Sequence, residues 1–274
     1  MPELPEVETI KRALEKRVLG RRIAGFTICR KDYMKAGLGD IGSLHGRVFQ
    51  SVERRGKILA MHLSGEWVLI HHLGMSGRIL CVTSKERAPL HTHVRITLDG
   101  GEEELRQWDP RRFGYVAVMK ERELLEFAPW TSLGVDPLDV TAGEFLELLS
   151  GRERPIKVFL LDQRRIAGLG NIYADESLFR ARVHPARPAG SLQPGEALKL
   201  RRSIRRVLRE AIAAGGSTTS DYQKLDGTLG EFQHKHRVYR KEGQCCRNCG
   251  AIIQKKILGG RSAHFCPECQ PLRP

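Results

Sequence analysis

The sequence lacks two features that would indicate a membrane or secreted protein. It has no continuous apolar run long enough to cross a bilayer, and its first residues do not have the pattern of a signal peptide. It is also short of acidic side chains, with 32 Asp plus Glu against 46 Lys plus Arg and a formal net charge of +14. Such a positive field favours a polyanionic partner. We therefore expect a cytoplasmic protein that binds nucleic acid.

The seven cysteines lack the even count and regular spacing of a disulfide framework. Cys29 and Cys81 stand alone in apolar, strand-like contexts, and we expect both to be small buried side chains. The other five lie close together near the C-terminus, where they include two CxxC units. This usage indicates metal binding in a reducing compartment.

The two CxxC units, CRNC and CPEC, are separated by sixteen residues. This spacing is typical of a β-hairpin that closes four thiolates around one structural zinc ion. Cys245 complicates the choice of ligand, since its spacing to Cys249 is also permitted, but the symmetry of the two units favours Cys246. We expect His264 to be a hairpin side chain. The predicted zinc ligands are Cys246, Cys249, Cys266 and Cys269.

Hydrophobic periodicity divides the rest of the chain into a helix, a β-rich region and a helical region. The residues at helical spacing near the start are Val7, Ile10, Leu14 and Val18. From about residue 21 to 120, short β-rich runs such as RVFQSV, KILAMHL and EWVLIHHL favour a β-sandwich. Helical patterns follow at 142–150, 155–163, 171–182 and 195–214. We predict an α+β multidomain protein that ends in a zinc-finger β-hairpin.

Two further stretches have residues suited to nucleic-acid contact. In LLDQRRIAGLGNIYADESLF, a glycine-containing turn lies directly before a predicted helix, so backbone N–H groups there can hold a phosphate. An ordinary turn between helices is the alternative. In WDPRRFG, a turn between two predicted strands carries Arg111, Arg112 and Phe113, and an exposed ring beside arginine can wedge into a stacked duplex. Taken alone, that phenylalanine could equally be buried.

These stretches, together with the opening MPELPEVET, the loop HLGMSGR and the terminal CRNCG, GGR and HFCPECQ, resemble bacterial formamidopyrimidine-DNA glycosylase. The motifs occur in the family's order from the first residue to the cysteine-rich tail. The resemblance implies an N-terminal helix plus β-sandwich domain (residues 1–130), a helix-two-turns-helix domain with a lesion loop (131–235) and a zinc finger (236–274). It also implies that duplex DNA lies between the lobes and that oxidised purines are excised before strand scission.

The resemblance assigns the chemistry to residues near the N-terminus and in the zinc finger. Met1 is expected to be removed before the small residue Pro2, whose secondary α-amine would be the nucleophile. By resemblance Glu3 is the general acid/base, Lys57 assists β-elimination and Arg261 assists δ-elimination. Glu6 would have a supporting role.

The resemblance also assigns DNA contacts. The target nucleotide must leave the stack, and Met75, Arg111 and Phe113 match the positions that fill the gap and face the orphaned cytosine. Asn171 matches the turn residue that grips the backbone. Three further matches to DNA-proximal positions are His91, Arg152 and Lys157. We expect a monomer that acts on the bacterial nucleoid and binds double-stranded DNA containing an oxidised purine.

Two alternatives compete with this interpretation. The related endonuclease VIII branch excises oxidised pyrimidines and shares the Pro-Glu start, but it lacks the set formed by Met75, Arg111 and Phe113. A noncatalytic zinc-ribbon DNA-binding protein would account for the charge and the finger. It would not account for Pro2 beside Glu3.

Overall fold

The computed structural model describes residues 2–272, and its first element is helix α1 (Leu4–Val18). The predicted apolar face is confirmed, because Val7, Ile10, Leu14 and Val18 are all fully buried. Glu3 is the residue that precedes the helix, and the proline at the second helical position suits the first turn, where backbone N–H groups have no partner within the helix.

Nine strands follow α1 and form two sheets. They are β1 (Ile23–Ile28), β2 (Met34–Ala36), β3 (Phe49–Arg55), β4 (Ile58–Leu63), β5 (Trp67–His72), β6 (Arg78–Thr83), β7 (Thr92–Leu98), β8 (Glu103–Trp108) and β9 (Tyr115–Lys120). One sheet has the strand order β2-β9-β5-β4-β3 and the other β1-β7-β8-β6. All neighbours are antiparallel except β2 and β9, which are parallel.

The two sheets and α1 share one hydrophobic core. Leu59 and Leu69 from the five-stranded sheet belong to the same buried cluster as Ile96 and Leu105 from the four-stranded sheet. The predicted β-sandwich is confirmed. One expectation is wrong in part: Cys29, which lies just beyond the end of β1, is exposed, and Cys81 is only half-buried, although it packs against the core.

Helices dominate the region after the sandwich. They are α2 (Glu121–Leu124), α3 (Ala128–Thr131), α4 (Ala142–Leu149), α5 (Ile156–Leu160), α6 (Asn171–Ala181) and α7 (Pro194–Ala213). Four of them lie where the sequence predicted helices, although α5 is shorter than its pattern. Short 3-10 helices occur at Lys31–Tyr33, Leu38–Leu44, Ala189–Ser191 and Phe232–Lys235. No helix within residues 2–272 has the length and apolar character required to cross a bilayer.

The chain ends in an antiparallel hairpin of β10 (Gln254–Leu258) and β11 (Arg261–Phe265). Backbone contacts divide the described residues into two units. The first contains the chain up to Ser132 together with Ala214–Gln233, and the second contains Leu133–Ala213 and the chain from His234 onward. The loop 214–230 therefore belongs with the sandwich, while the hairpin belongs with the helices. The three predicted domain ranges stay a prediction.

Candidate active site and zinc centre

The start of α1 is buried together with its carboxylates. Pro2 is buried and Glu3 is only 2% exposed. Glu6, on the first turn, is 1% exposed and accepts a hydrogen bond from the backbone N–H of Glu3 (2.8 Å). This bond fixes the backbone beside Pro2, so the two predicted catalytic residues are held by the first turn of the helix.

The second oxygen of Glu6 holds loop 214–230, whose stretch GGSTTSDYQ resembles the lesion loop of the family. The N–H of Ser217 donates to Glu6 Oε1 at 2.7 Å. The preceding Gly216 has φ +83°, and a Cβ at that position would lie 2.8 Å from the same oxygen, so only glycine fits. The hydroxyl of Tyr222 donates to the carbonyl of Gly215 (3.0 Å). Glu6 thus joins the start of α1 to loop 214–230, which gives structural content to the supporting role predicted for it.

Lys57 lies in the two-residue turn between β3 and β4 and is half-buried. Arg54 connects this hairpin to α1, because its Nε donates to Glu8 Oε2 at 2.8 Å. Burial raises the pKa of Glu8, but hydrogen bonds from Arg54 and Arg12 outweigh it and hold that pKa below its usual value. His72 lies nearby: burial, together with the charge of Lys57, lowers the pKa of its ring to about 4. The turn with Lys57 is therefore fixed against the helix that follows Pro2 and Glu3.

Met75 and Phe113 lie on two turns that one buried carboxylate joins. Asp109 is fully buried and accepts hydrogen bonds from the hydroxyl of Ser76 and from the N–H of Gly114 (2.8 Å). The two turns touch directly, since a Cβ on Gly74 would lie 2.3 Å from the carbonyl carbon of Phe113. Phe113 is 57% exposed and Met75 is half-buried. The structure therefore brings these two predicted DNA-contact residues to one edge of the sandwich and leaves the aromatic ring available.

Arg111 joins this edge and is in contact with loop 214–230. Its guanidinium lies 5.9 Å from the centre of the Phe113 ring and 3.6 Å from Asp221 Oδ2. Arg78 also approaches the Asp221 carboxylate (3.9 Å) and donates to Gln223 Oε1 (2.6 Å). Two arginines of the sandwich thus hold the tip of the loop.

His91 is exposed and lies at the same end of strand β8. Its carbonyl accepts the N–H of Asp109 (3.0 Å), and its ring contacts that of Trp108 edge to face, with centroids 6.4 Å apart. His91 is consequently attached to the turn that carries Arg111 and Phe113, and its nearness to DNA stays a prediction.

In the second unit, the turn before α6 has the form expected for a phosphate site. Gly168 has φ +97°, and Gln163 stabilises the turn by accepting the N–H of Gly168 (2.9 Å) and donating to the carbonyl of Leu169 (2.8 Å). Asn171 is the first residue of α6, and its side-chain oxygen is buried with no hydrogen-bond partner among residues 2–272. The positive end of the helix and the glycine turn are therefore combined as predicted.

Arg261 is exposed and begins β11, directly after the turn formed by Gly259 and Gly260. Gly259 has φ +53°, and a Cβ there would lie 3.0 Å from the side chain of Val158 on α5, so the hairpin tip packs against that helix. Arg152 is also exposed, in the segment between α4 and α5. Both arginines are available to a polyanion.

Lys157 is placed where its ammonium cannot contact DNA directly. Its side chain is fully buried, and its ammonium donates to Asp175 Oδ1 (2.6 Å) and to the carbonyl of Ser262. Asp175 also accepts the N–H of His264 at 3.0 Å, and the His264 ring lies 2.9 Å from the same carboxylate. An ammonium without exposed surface has no access to a phosphate. We correct the prediction: Lys157 holds the strand that begins at Arg261.

The four predicted zinc ligands converge as expected. The Sγ atoms of Cys246, Cys249, Cys266 and Cys269 all lie within 4.8 Å of one another. Individual separations are 3.9 Å, 3.4 Å and 3.5 Å, near the ~3.8 Å expected for a tetrahedron with Zn–S bonds of ~2.3 Å. Cys245 is outside this cluster, and the His264 ring is hydrogen-bonded to Asp175. The cluster is suited to one structural zinc ion, and four thiolates leave no open position for catalysis.

Three organising side chains were not predicted from the sequence. They are Asp109, Gln163 and Asp175. Asp109 precedes PRRFG, and Gln163 and Asp175 flank the glycine turn, so each was close to a recognised motif. Their role is to hold backbone, and it depends on partners that sequence spacing does not reveal.

Comparison with known proteins covers nearly the whole chain. A family model described as "Formamidopyrimidine-DNA glycosylase N-terminal domain" matches residues 1–116, one described as "Formamidopyrimidine-DNA glycosylase H2TH domain" matches 133–223, and "Zinc finger found in FPG and IleRS" matches 243–272. The formamidopyrimidine-DNA glycosylase of Cytobacillus firmus is 41% identical over 275 residues, which cover 98% of this chain and 100% of that protein.

Solved structures agree with this comparison. A complex of a Lactococcus lactis FPG mutant with a Fapy-dG containing DNA has a TM-score of 0.92 and 35% identity, and the match covers 99% of this chain and 100% of that one. A complex of the Lactococcus lactis protein with an abasic site containing DNA also has a TM-score of 0.92 and 35% identity, over 98% and 100% of the two chains. The resemblance noted in the sequence is confirmed: the chain belongs to the formamidopyrimidine-DNA glycosylase family.

Proposed function

We propose that this protein excises oxidised purines from duplex DNA, chiefly 8-oxoguanine and formamidopyrimidines, and then cleaves the strand at the abasic site. The observation that carries the proposal is the buried Pro2-Glu3 pair at the start of α1, held through Glu6 against loop 214–230. Membership of the family supports the same activity, as do solved relatives bound to Fapy-dG DNA and to abasic DNA.

In the proposed reaction the secondary amine of Pro2 attacks C1′, and the glycosidic bond breaks as the base leaves. Met1, whose removal would free that amine, lies outside the described residues. Glu3 then protonates O4′ as the sugar ring opens, which leaves an iminium at C1′. An α-amine titrates near pH 7.7 to 8.0, so an appreciable fraction is neutral at physiological pH. Because Pro2 is a secondary amine, its iminium carries a positive charge without a proton.

The iminium withdraws electrons and so acidifies the C2′ hydrogen. Loss of that proton breaks the C3′–O bond in β-elimination, and loss of the C4′ proton then breaks the C5′–O bond in δ-elimination. We assign Lys57 to the first elimination and Arg261 to the second, as phosphate-binding cations close to the leaving groups. Hydrolysis of the final iminium regenerates the Pro2 amine.

We assign the opening of the duplex to the edge formed by Met75, Arg111 and Phe113. An exposed ring can enter between base pairs, and the flexible Met75 side chain can occupy the space left by the extruded nucleotide. Arg111 would donate to the acceptor edge of the orphaned cytosine. Since Arg111 contacts Asp221, DNA must compete with that carboxylate for the guanidinium.

In the second unit we assign phosphate contacts to Asn171, Arg152 and Arg261, and to His91 in the first. Lys157 is excluded from this set by its burial. We also propose that the protein acts as a monomer on nucleoid DNA in the bacterial cytoplasm and that its three family modules are separate domains. Tagged protein that failed to co-localise with the nucleoid would contradict that location.

The proposed function is tested by excision of 8-oxoguanine placed opposite each of the four normal bases. We expect cleavage with a clear preference for cytosine as the partner. Arg111→Ala should narrow the ratio between cytosine and adenine partners, because the donor to the cytosine edge is lost, while Phe113→Ala should lower excision for every partner. No excision of 8-oxoguanine or formamidopyrimidine from any duplex would contradict the proposal.

A further inference from the structure

Helix α7 (Pro194–Ala213) has one apolar face that packs into the core and one arginine-rich face that does not. The core face is buried and includes Ala197, Leu200, Ile204, Val207, Leu208 and Ala211. Outside it are five arginines within nine residues, which we call the α7 arginine face: Arg201, Arg202, Arg205, Arg206 and Arg209. No residue of this face has a place in the proposed reaction.

The arginine face is electrostatically unfavourable for the isolated protein. It contains three like-charge pairs at i,i+4 spacing, each of which destabilises a helix by about 0.2–0.5 kcal/mol. The nearby carboxylate of Glu210 is shared between Arg206 (2.9 Å) and Arg180 (2.8 Å). Burial and the neighbouring charges of Arg205 and Arg202 lower the pKa of Arg201. Arginines that repel one another destabilise the helix, and their presence despite this cost indicates a function for the positive charge.

The arginines also line a groove. Its volume is about 450 Å³, and its walls are the five arginines together with Glu210. Arg201 is fixed at one side, because its Nε donates to the carbonyl of Val140 (2.7 Å). Arg205 is half-buried and lines the groove together with the exposed Arg202, Arg206 and Arg209.

We propose that the α7 arginine face binds the phosphate backbone of a duplex segment outside the lesion-containing stretch. The proposal rests on the proposed function, which supplies DNA as the partner. Arg201 and Arg209 are about 12 Å apart along the helix axis at 1.5 Å per residue, a length that faces about seven duplex charges at one per 1.7 Å. The planar guanidinium donates in a fork that fits phosphate oxygens. A net charge of +14 favours this polyanion over a short acidic peptide.

The test is the triple variant Arg202→Gln, Arg206→Gln and Arg209→Gln, which changes only exposed arginines. Binding to a long undamaged duplex is measured against salt. At low salt we expect about a tenfold loss of affinity, and the slope of log K against log salt should fall by about 2 to 3, since each phosphate contact contributes about 0.9. A short lesion duplex, confined to the reaction site, should be excised at the unchanged rate.

A matched variant with lysine at the same three positions keeps the charge and should retain most of the long-duplex affinity. Thermal unfolding of both variants checks that α7 is intact. An unchanged salt slope in the glutamine variant would overturn the proposal, as would a loss of binding to polyglutamate with DNA binding unaffected. Excision of the short lesion duplex by the unsubstituted protein reports on the proposed function separately. If the unsubstituted protein did not excise the short lesion duplex but the glutamine variant still had a reduced salt slope, the proposed function would be wrong and DNA binding by the α7 arginine face would be supported.

Discussion

Two buried carboxylates organise the two units in different ways. Glu6 in the first unit accepts backbone N–H groups from Glu3 and Ser217, whereas Asp175 in the second neutralises the ammonium of Lys157 and also binds His264. Both are at most 1% exposed. The difference lies in what each would leave behind if removed. Loss of Asp175 would strand a full buried charge, while loss of Glu6 would free two dipolar amides.

The two carboxylates also hold different kinds of element. Glu6 fixes a loop against the start of α1, so its contribution is local order around Pro2 and Glu3. Asp175 fixes β11 against α6, and β11 leads directly into the zinc ligand Cys266. We therefore expect the Asp175 network to depend on the metal and the Glu6 contacts to be independent of it.

Zinc removal gives the largest expected effect and tests this distinction. Four thiolates held close together need a cation, and zinc contributes on the order of 10 kcal/mol to the folding of comparable finger peptides. After chelation, exchange of the His264 amide hydrogen should accelerate by orders of magnitude, while that of the Ser217 amide should stay slow. Equal acceleration at both amides would show that the two networks are not independent.

Alanine variants of Cys246 and Cys245 test which of the two binds the zinc. Cys246→Ala should lose stoichiometric zinc and reproduce the effect of the chelator, because its Sγ belongs to the cluster. Cys245→Ala should keep one zinc per protein, as measured by metal analysis of the purified variants. The opposite result would mean that Cys245 is the ligand.

Asp175→Asn should have the next largest effect. Removing one partner of a buried ion pair costs about 3–5 kcal/mol, because the remaining charge is uncompensated, and Lys157 is fully buried. Urea unfolding measures the loss. Replacing both partners, as Asp175→Leu with Lys157→Met, should recover much of it. If the single and double variants were equally unstable, the lost hydrogen bonds between Asp175 and His264, and not the uncompensated charge of Lys157, would explain the effect.

Glu6→Gln should cost less, on the order of 1–2 kcal/mol, because the amide keeps one acceptor oxygen for one of the two N–H groups. The loss of base excision should be larger than this small loss of stability can explain. Exchange of the Ser217 amide should accelerate and base excision should slow, with DNA affinity little changed. Glu15→Gln, on the same helix, is the matched control. Unaltered Ser217 exchange in Glu6→Gln would remove the link between this carboxylate and the loop.

The effect that is smallest at neutral pH involves neither carboxylate and develops only on acidification. Burial lowers the pKa of His71 to about 4 from 6.5, against a weaker opposing effect of Gln107. The unfolded chain then binds a proton that the folded protein excludes, so the free energy of unfolding falls as the pH drops from 6.5 towards 4. His71→Asn should flatten this dependence in urea titrations at several pH values. A slope identical to that of the unsubstituted protein would contradict it.

Local patterns explain which parts were predictable. The zinc ligands lie within 24 residues and their spacing dictates the hairpin, and α1 follows directly from apolar side chains at helical intervals. The turn with Arg111 and Phe113 was also predicted between two strands. In each case the information lies in neighbouring residues, and the structure confirms the elements.

Contacts between distant segments were not predictable in the same way. Glu6 and Ser217 are 211 residues apart, and Asp175 and His264 are 89 apart. Lys157 shows the consequence: it matches a DNA-proximal position of the family, but its ammonium is bound to a buried carboxylate. A lysine in the sequence does not reveal whether its ammonium faces solvent or a partner from a remote strand.

The central claim is that the amine of Pro2 performs the chemistry, and borohydride trapping on abasic duplex DNA tests it most directly. We expect a covalent adduct that peptide mapping places at Pro2. A variant with one extra residue before Pro2 should bind the same duplex with similar affinity yet give no adduct and no base excision. An adduct that maps to Lys57, or native cleavage by the blocked variant, would contradict the account.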